Sequence, residues 1–535
     1  MKNNFVHSWR AYLIYSFLVI GLLILIFRLL SLQFIDRDFL ASKSKSLLET
    51  SRPIHATRGS ILDRNDFPLA VSINQYDLYA LKNFSYEDYE ELSKFISIRM
   101  DFLDIKKINK KFLIFSNLNF SEYENVKSLR LSGIEIESFQ KRYYPLGEQA
   151  APLIGFAGKD GFGLEGLENI LDSELSGASG KEIIYRNASR RPQVTQEVVQ
   201  GLNKKLTIDS RIQFYAYKHL SSYIEANNAK GGSVIVLDNI SGEILAIASY
   251  PSYNPNSRQR KIIRNRALTD AFEPGSIIKP LAVAKGIDMG IISANQVIDT
   301  SPGFINLSGR MVSDPKNYNN LTVKEVIAKS SQVGASKLAL LVGIDGLISG
   351  YKGFGLSKPP NIFFPGIAYG VINSRNNITD HEIASIGFGY SLTASSLQLA
   401  QAYSVFANEG YLKDFKLFIN DAESSYQQRV ISKDTADEIL DSLKLVVSDG
   451  TGSLAKLINF EVAGKTGTSH KPSSKGGYDQ SKYMASFAGI APLKTKRLTI
   501  FVNIDEPGLN NYSGGSVAAP LFAAISKDVL NYLNE

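Results

Sequence analysis

Residues 460–470 read FEVAGKTGTSH, and the triplets within this stretch decide between two folds. Gly464-Lys465-Thr466 is how a phosphate-binding loop ends, whereas Lys465-Thr466-Gly467 is how one kind of substrate-binding β-strand begins. The phosphate-binding pattern G-x-x-x-x-G-K-[ST] needs a glycine where this chain has Asn459. It also needs a helix directly after the threonine, but residues 470–477 read HKPSSKGG, a sequence that breaks helices. The sequence therefore favours the strand.

A second nucleotide-binding pattern is also rejected. Gly161-x-Gly163-x-x-Gly166 matches the dinucleotide-binding fingerprint letter for letter. No clear strand precedes it, and Leu167-Glu168-Asn169 does not continue a β-α-β unit. We expect a structural turn at this position.

A strand that begins with Lys-Thr-Gly occurs in one class of serine enzymes together with a serine followed three residues later by a lysine. Ser276 and Lys279 have this spacing, and the Pro280 that follows is tolerated in the first turn of a helix. On a helix the hydroxyl and the amine then share a face, with Ser276 at the positive end of the helix dipole. The same spacing without this context occurs at Ser42/Lys45, Ser138/Lys141, Ser349/Lys352 and Ser453/Lys456.

The region around this serine carries a family resemblance. Residues 264–276 read RNRALTDAFEPGS and resemble the nucleophile region of the class B penicillin-binding proteins, most closely the division-specific peptidoglycan D,D-transpeptidases of the penicillin-binding protein 3 type. The resemblance covers almost the whole chain. RGSILDRN (58–65), RYYP (142–145) and GLEGLE (163–168) are similar to the three motifs of that family's N-terminal pedestal, and PSYNPN (251–256), GTG (450–452) and GG (514–515) also match.

The second active-site motif of this family departs from its usual form. It should end in asparagine, but the chain has Ser330-Ser331-Gln332. Glutamine has the same amide one methylene farther out, so we expect substrate contact to be shifted rather than lost. Ser374-Arg375-Asn376 is a formal alternative, but its surroundings do not resemble the family's helix.

The resemblance implies a mixed α+β chain with a single N-terminal transmembrane helix. The expected parts are a cytoplasmic tail (1–10), the anchor (11–35), an elongated α+β pedestal that does not bind penicillin (36–200), and a serine β-lactamase-like transpeptidase domain (201–535). We expect an antiparallel sheet flanked by helices in the last part.

Local patterns add detail to this fold. Turn residues between two apolar runs predict a hairpin, and spacing predicts helices. The predicted elements are a helix at Leu206–Asn227, strands at Ser233–Leu237, Glu243–Ala248, Tyr483–Ile490 and Leu498–Ile504, a closing helix at Ala519–Leu533, and a charged helical stretch at Tyr86–Asp104.

The anchor is predicted from hydrophobicity. Ala11–Phe27 carries no charge, and apolar character resumes after Arg28 and continues to Ile35, which is long enough to cross a bilayer. No small-residue cleavage site follows, so an uncleaved anchor is favoured over a signal peptide. Lys2 and Arg10 precede the span whereas Asp36 and Asp38 follow it, which favours a cytoplasmic N-terminus and a periplasmic catalytic domain.

Composition excludes several classes of function. The 535 residues contain no cysteine, which removes thiol nucleophiles, disulfides and Cys-ligated zinc. The five histidines are far apart and form no metal-type pair, so we expect no metal site. The formal net charge of +7 comes from basic residues scattered among acids, without a nucleic-acid-binding signature.

The resemblance implies a reaction and a set of roles. Ser276 attacks the terminal D-Ala-D-Ala of a donor stem peptide, and an amine of a second stem peptide resolves the acyl-enzyme; no cofactor takes part. Lys279 is the base, its pKa lowered by burial and by Lys465. Ser330 is the proton relay, and the backbone N–H groups of Ser276 and Thr468 form the oxyanion hole. Lys465, Thr466 and Thr468 bind the substrate carboxylate, and Gln332 and Gly467 also belong to the substrate-binding set. The structural residues of the pedestal are Arg58, Gly59, Asp63, Arg64, Arg142, Glu165 and Glu168.

Rival functions stay open at this point. A carboxypeptidase or a membrane-bound β-lactamase would use the same serine, and a catalytically weakened division scaffold or β-lactam sensor would explain Gln332. A serine hydrolase using His470 is disfavoured because no G-x-S-x-G elbow surrounds Ser276. The partners implied are β-lactams, a polytopic lipid II polymerase at the anchor, and other divisome membrane proteins, all at the bacterial inner membrane.

Overall fold

The structure is a computed structural model that describes residues 8–108, 110–185, 193–257, 263–373, 375, 377–419, 427–508 and 511–534. Ser374 and Asn376 of the alternative second motif, and most of the predicted cytoplasmic tail, lie outside these residues. The chain folds into two compact units. One is Met1–Arg58 with Ser176–Gly201, and the other is Gly59–Leu175 with Leu202–Glu535.

Within the described residues the helices are α1 Ser8–Leu30, α2 Arg37–Leu48, α3 Tyr86–Ser93, α4 Phe102–Ile108, α5 Phe120–Ser128, α6 Ala151–Ile154, α7 Gly166–Ile170, α8 Asp172–Leu175, α9 Ser210–Asn227, α10 Arg266–Thr269, α11 Lys279–Asp288, α12 Val323–Lys329, α13 Gln332–Gly353, α14 Asp380–Gly387, α15 Ser396–Ala407, α16 Lys433–Asp449 and α17 Ala519–Leu533. The strands are β1 Glu49–Ile54, β2 Ile61–Leu62, β3 Pro68–Ala80, β4 Phe112–Leu118, β5 Ile134–Tyr143, β6 Gly180–Tyr185, β7 Gln193–Gln196, β8 Lys204–Lys205, β9 Gly231–Asp238, β10 Glu243–Tyr250, β11 Ala271–Phe272, β12 Val297–Asp299, β13 Phe304–Leu307, β14 Arg310–Ser313, β15 Asn320–Thr322, β16 Ala394–Ser395, β17 Tyr411–Lys413, β18 Gln427–Arg429, β19 Ala463–Pro472, β20 Tyr478–Ala491 and β21 Leu498–Asp505.

The first unit begins with the predicted apolar helix. The span Trp9–Ile35 has a mean hydropathy of 2.6 and no buried residues, as expected of a helix that faces lipid. It ends in a π-helical turn, Ser31–Ile35. Asp36, just beyond, accepts a hydrogen bond from Ser31 Oγ at 3.2 Å and lies 3.5 Å from the Arg28 guanidinium. The unit also contains an antiparallel sheet of order β1-β6-β7.

The residues 59–175 of the second unit contain a small separate core. Strand β3 pairs with β4 and β5, and the helices α3, α4 and α5 add apolar side chains to this core, as do the loop residues Phe84 and Ile96. The prediction of one helical stretch at Tyr86–Asp104 was wrong. Helix α3 ends at Ser93, where the N–H groups of Phe95 and Ile96 both bond to Leu92 O, and the chain turns so that Ile96 enters this core.

The centre of the second unit is a five-stranded antiparallel sheet of order β10-β9-β21-β20-β19. Every residue of β9 and β21 is buried, because helices cover both faces. Helices α9 and α17 pack on one face and α15 on the other. The predicted antiparallel sheet flanked by helices, its strand pairs and the closing helix Ala519–Leu533 are confirmed.

The helix predicted from Leu206 begins later, at Ser210. Asp209 precedes it in an extended conformation, and its side chain accepts from the N–H groups of Arg211 and Ile212. Thr207 is tied to another segment, since its N–H donates to Leu417 O at 2.9 Å. An N-cap of this kind sets where the helix starts, whatever the apolar spacing before it.

The pedestal motifs form buried and partly buried contacts. Arg142 donates to Glu168 at 2.6 Å, and Glu168 is 0% exposed. Asp63 accepts from the N–H of Ser210 at 3.0 Å, and Arg64 pairs with Glu243 at 2.9 Å. Elsewhere, Arg58 donates to Ser176, the N–H of Gly59 donates to Leu175 O, and Glu165 is the residue before α7. The glycine pattern at 161–166 is a turn that follows helix α6 rather than a strand.

Candidate active site

The turn that carries Ser276 leads into helix α11 and packs against strand β19. Residues Gly275–Ile278 form a 3-10 turn that leads directly into α11, with Pro280 in its first turn. Ser276 is partly exposed, whereas the residues after it are buried. Gly275 has a left-handed φ of +53°, and a Cβ on it would lie 2.8 Å from Thr468 O. Glycine is therefore required where this turn meets strand β19.

Lys279 is buried beneath this turn and is held by oxygen atoms. Its side chain is 1% exposed, and Nζ lies 2.8 Å from Ser330 O, 3.3 Å from Ser331 O and 3.3 Å from Ser330 Oγ. Burial lowers the pKa of Lys279 to about 7, against the opposing effect of the Asp314 carboxylate. The amine is therefore available as a base near neutral pH.

Ser330 lies between two lysine amines. It follows α12 with a left-handed φ of +57°, a conformation that is uncommon for a residue other than glycine. Its hydroxyl is 3.3 Å from Lys279 Nζ and 3.1 Å from Lys465 Nζ. Lys465 is 0% exposed, and burial followed by the charge of Lys279 holds its pKa well below the usual range. The hydroxyl thus links the two amines.

Strand β19 forms the opposite wall. It is the last strand of its sheet, and Lys465 to Thr468 pair with Ala488 to Ala485 of β20 on one side. Thr466 Oγ1 lies 2.7 Å from Thr451 Oγ1, and Thr468 Oγ1 accepts from the N–H of Gly514 at 2.9 Å. A Cβ on Gly467 would lie 2.5 Å from Ile277 Cγ1, so a side chain there would separate the strand from the turn that carries Ser276.

Asp314 is a residue of the site that sequence reasoning missed. Its carboxylate accepts from Ser331 Oγ at 2.6 Å, from the N–H of Val333 at 3.2 Å, and from the N–H of Gln332. A carboxylate at the N-terminus of a helix satisfies free N–H groups and the helix dipole. Asp314 therefore fixes the start of α13 and, with it, the carbonyl groups that contact Lys279. No motif marks it in the sequence.

Gln332 is placed as the first residue of α13, two residues after Ser330. Its amide oxygen Oε1 is buried and has no hydrogen-bond partner among the described residues. A buried acceptor without a donor costs about 1–3 kcal/mol. Where the family has asparagine, this chain therefore has a glutamine with an unsatisfied amide oxygen, two residues after Ser330.

The other serine–lysine pairs do not enter this arrangement. Ser138 and Lys141 lie on strand β5, and Ser453 begins a short 3-10 turn. Ser349 donates to Gly346 O within α13, and Ser42 donates to Phe39 O within α2. His470, the base of the rival hydrolase, has its Nδ1 3.3 Å from Asp479 O. Lys279 differs from these other lysines. Its amine contacts the Ser330 hydroxyl, which the Lys465 amine also contacts.

Two family profiles match this chain. The profile of the Penicillin binding protein transpeptidase domain matches residues 232–527, which contain Ser276, Ser330 and Lys465. The profile of the Penicillin-binding Protein dimerisation domain matches residues 53–205.

Similar proteins and structures agree with these profiles. The peptidoglycan D,D-transpeptidase FtsI of Escherichia coli (strain K12) is 33% identical over 552 residues, which cover 99% of this chain and 93% of that protein. The probable peptidoglycan D,D-transpeptidase PenA of Neisseria gonorrhoeae is 36% identical over 532 residues, with 95% and 90% covered. Penicillin binding protein 3 from Mycobacterium tuberculosis, complexed with aztreonam, is similar with a TM-score of 0.72, 27% identity, and 90% of this chain and 97% of that chain covered.

Proposed function

This chain belongs to the class B penicillin-binding proteins, and we propose that it cross-links septal peptidoglycan through an acyl-enzyme on Ser276. It is a membrane-anchored peptidoglycan D,D-transpeptidase that is open to covalent inhibition by β-lactams. The observation that best supports the roles of the residues is the Ser330 hydroxyl, which lies within 3.3 Å of Lys279 Nζ and 3.1 Å of Lys465 Nζ.

Acylation begins with the transfer of a proton from Ser276 Oγ to the neutral amine of Lys279. The Oγ atom bonds to the carbonyl carbon of the penultimate D-alanine, and a tetrahedral oxyanion forms. The proton then passes through Ser330 to the nitrogen of the leaving D-alanine as the carbon–nitrogen bond breaks. A pKa of about 7 for Lys279 suits both steps, because the amine accepts and returns a proton at the same pH.

The developing oxyanion needs donors that are already in place. We propose the backbone N–H groups of Ser276 and Thr468, on the 3-10 turn and on strand β19. Preorganised donors of this kind stabilise acyl-transfer transition states by about 2.7–4 kcal/mol each. The close packing of Gly275 and Gly467 between these two elements supports the pairing.

The substrate carboxylate, or that of a β-lactam, binds at the Lys465, Thr466 and Thr468 side chains. The position of β19 supports this, since it is the last strand of its sheet and pairs with β20 on one side. Deacylation reverses the proton path. The acceptor amine attacks the ester carbon, Lys279 takes the amine proton, and Ser276 recovers its own proton as the carbon–oxygen bond breaks.

The catalytically weakened scaffold is less well supported than the enzyme. That alternative depends on Gln332, whose amide oxygen has no partner among the described residues. Of the groups that do the chemistry in our proposal, Lys279 and Lys465 are nevertheless buried, and both amines contact the Ser330 hydroxyl. We infer that Gln332 adjusts substrate binding and leaves proton transfer intact.

Orientation, domain roles and partners extend the proposal. We propose that residues 1–10 lie in the cytoplasm and that the catalytic domain lies in the periplasm, as the charges flanking the anchor favour. Residues 36–200 act as the pedestal for the transpeptidase domain at 201–535. The anchor contacts a polytopic lipid II polymerase, and the pedestal contacts other divisome proteins.

A labelling experiment tests the proposed nucleophile. The detergent-solubilised full chain is incubated with a fluorescent penicillin, and Ser276→Ala is expected to abolish covalent labelling. Ser453→Ala is the matched control, because Ser453 has the same spacing to a lysine but lies in a separate 3-10 turn. Labelling that survives in Ser276→Ala would refute the assignment.

A further inference from the structure

The turn that carries Ser276 is short, and one of its hydrogen bonds is long. The N–H of Ile277 lies 3.4 Å from Pro274 O, at the long end of the hydrogen-bonding range. Turns of the 3-10 type also have poorer hydrogen-bond geometry than an α-helix. The conformation of the turn therefore also depends on contacts from outside it.

Three outside contacts hold the backbone around Ser276. The N–H of Gly275 donates to Gly389 O at 3.0 Å. On the strand side, Ser469 Oγ donates to Glu273 O at 2.7 Å. On the helix side, the hydroxyl of Tyr403 donates at 2.7 Å to the carbonyl of Ile277, the residue directly after the nucleophile.

Tyr403 is a rigid donor. It lies on α15, a helix whose residues are all buried and which begins with a capping box between Ser395 and Gln398. Tyr403 is 0% exposed, and its ring meets that of Phe406 edge-on, with centroids 5.7 Å apart. Burial raises the pKa of Tyr403 well above its ordinary value, so the hydroxyl keeps its proton at any working pH.

Ile277 is held on its other side as well. It is 0% exposed, and its side chain fills the space above Gly467, where a Cβ would lie 2.5 Å from Ile277 Cγ1. The residue after the nucleophile is thus fixed between a helix hydroxyl and strand β19. The Ile277 carbonyl belongs to the peptide that joins Ile277 to Ile278, so its hydrogen bond with Tyr403 fixes the backbone between Ser276 and Lys279.

We propose that Tyr403 is a positioning residue for acylation, with Ser469 as its counterpart on the strand side of the turn. The Tyr403 hydroxyl fixes the carbonyl of Ile277 and thereby aims the Ser276 hydroxyl at Lys279. Because Tyr403 is fully buried, it acts through the turn and not on the substrate. This inference rests on Ser276 being the nucleophile.

The test is a pre-steady-state measurement on the full chain in detergent. Wild type, Tyr403→Phe and Ser469→Ala are mixed with a fluorescent penicillin, and the acylation rate constant, the non-covalent Kd and the labelling amplitude are measured separately. Tyr403→Phe is expected to lower the rate constant about tenfold, the equivalent of one lost hydrogen bond. The Kd and the amplitude stay at wild-type values, because the carboxylate ligands are on β19.

Tyr253→Phe is the matched control. Tyr253 is 6% exposed, and its hydroxyl donates to the carbonyl of Ala151 at 3.3 Å, among the residues 59–175 of the same unit. This variant also loses a hydrogen bond between a buried tyrosine and a backbone carbonyl. It is expected to keep the wild-type acylation rate constant, so a rate loss confined to Tyr403→Phe comes from the nucleophile turn.

Two results would overturn the inference. One is an acylation rate constant within twofold of wild type in Tyr403→Phe. If that variant does not fold, the same result in a folded Ser469→Ala variant overturns the inference. The other is a fall in labelling amplitude with the rate constant unchanged, which indicates a purely structural role. A wild-type chain that is not acylated on Ser276 refutes the proposed function instead, so the two failures are distinguishable.

Discussion

Replacing Asp314 with asparagine is expected to shift the pH dependence of acylation toward acid. The Asp314 carboxylate raises the pKa of Lys279, whereas burial lowers that pKa to about 7. The variant removes the charge and keeps a side-chain oxygen for the N–H groups at the start of α13. The pKa of Lys279 then falls, because less remains to favour the protonated amine.

The size of the shift follows from the charge removed. At a pKa of about 7, roughly half of the chains hold a neutral Lys279 at pH 7. Loss of one nearby charge, at an effective dielectric constant of about 20, is expected to lower this pKa by about one unit, or about 1.4 kcal/mol. The neutral fraction at pH 6 would then rise from about one tenth to about one half.

The assay is the acylation rate constant of the full chain between pH 5 and 9, measured with a fluorescent penicillin. We expect the inflection to move to lower pH in Asp314→Asn, with a lower melting temperature because the helix cap is weaker by about 1 kcal/mol. Asp437→Asn is the control. Asp437 lies on helix α16 and pairs with Lys496 at 2.8 Å, so this variant also loses a carboxylate, but not at the start of α13. An inflection that stays in place or moves to higher pH would refute the reasoning.

Three further substitutions have defined outcomes. Gln332→Asn shortens the side chain by one methylene and so moves the unsatisfied amide. It is expected to tighten the non-covalent Kd for penicillin several-fold, about 1 kcal/mol, with the pH inflection unchanged. An unchanged Kd would count against a role of Gln332 in substrate binding. Gly467→Ala should lower the free energy of unfolding by about 1–3 kcal/mol and slow acylation, since its Cβ would meet Ile277 and Ser486; a wild-type melt would contradict this. Glu168→Gln leaves Arg142 buried beside a neutral group, so a loss of about 3–5 kcal/mol is expected in thermal unfolding, with acylation by folded chains unaffected.

Much of the fold could be predicted from the sequence where one pattern controls the outcome. Apolar length identified the anchor, and turn residues between apolar runs identified the hairpin of β9 and β10. Element boundaries depended on contacts distant in sequence. The helix predicted from Leu206 starts at Ser210 because Thr207 bonds to Leu417 and Asp209 caps it. Likewise, α3 ends at Ser93 because Ile96 turns into a core that includes Ile105.

The residues of the candidate site also divide into those that a sequence pattern predicts and those that depend on contacts distant in sequence. Motif residues such as Lys279 and Lys465 could be named from spacing and order, because their chemistry requires those residue types. Asp314 and Tyr403 could not, because one reads as a polar turn residue and the other as a core aromatic. Asp314 acts through hydrogen bonds from Ser331, Gln332 and Val333, and Tyr403 through one to Ile277 O, all of which only the folded chain brings within reach.

Peptide mapping of the acylated protein tests the central claim most directly. The full chain is exposed to penicillin, digested, and analysed by mass spectrometry at successive times. We predict one adduct, on the peptide that contains Ser276, which persists long after free penicillin is removed. An adduct on any other serine, or rapid loss of the adduct with turnover of penicillin, would contradict a transpeptidase that uses Ser276.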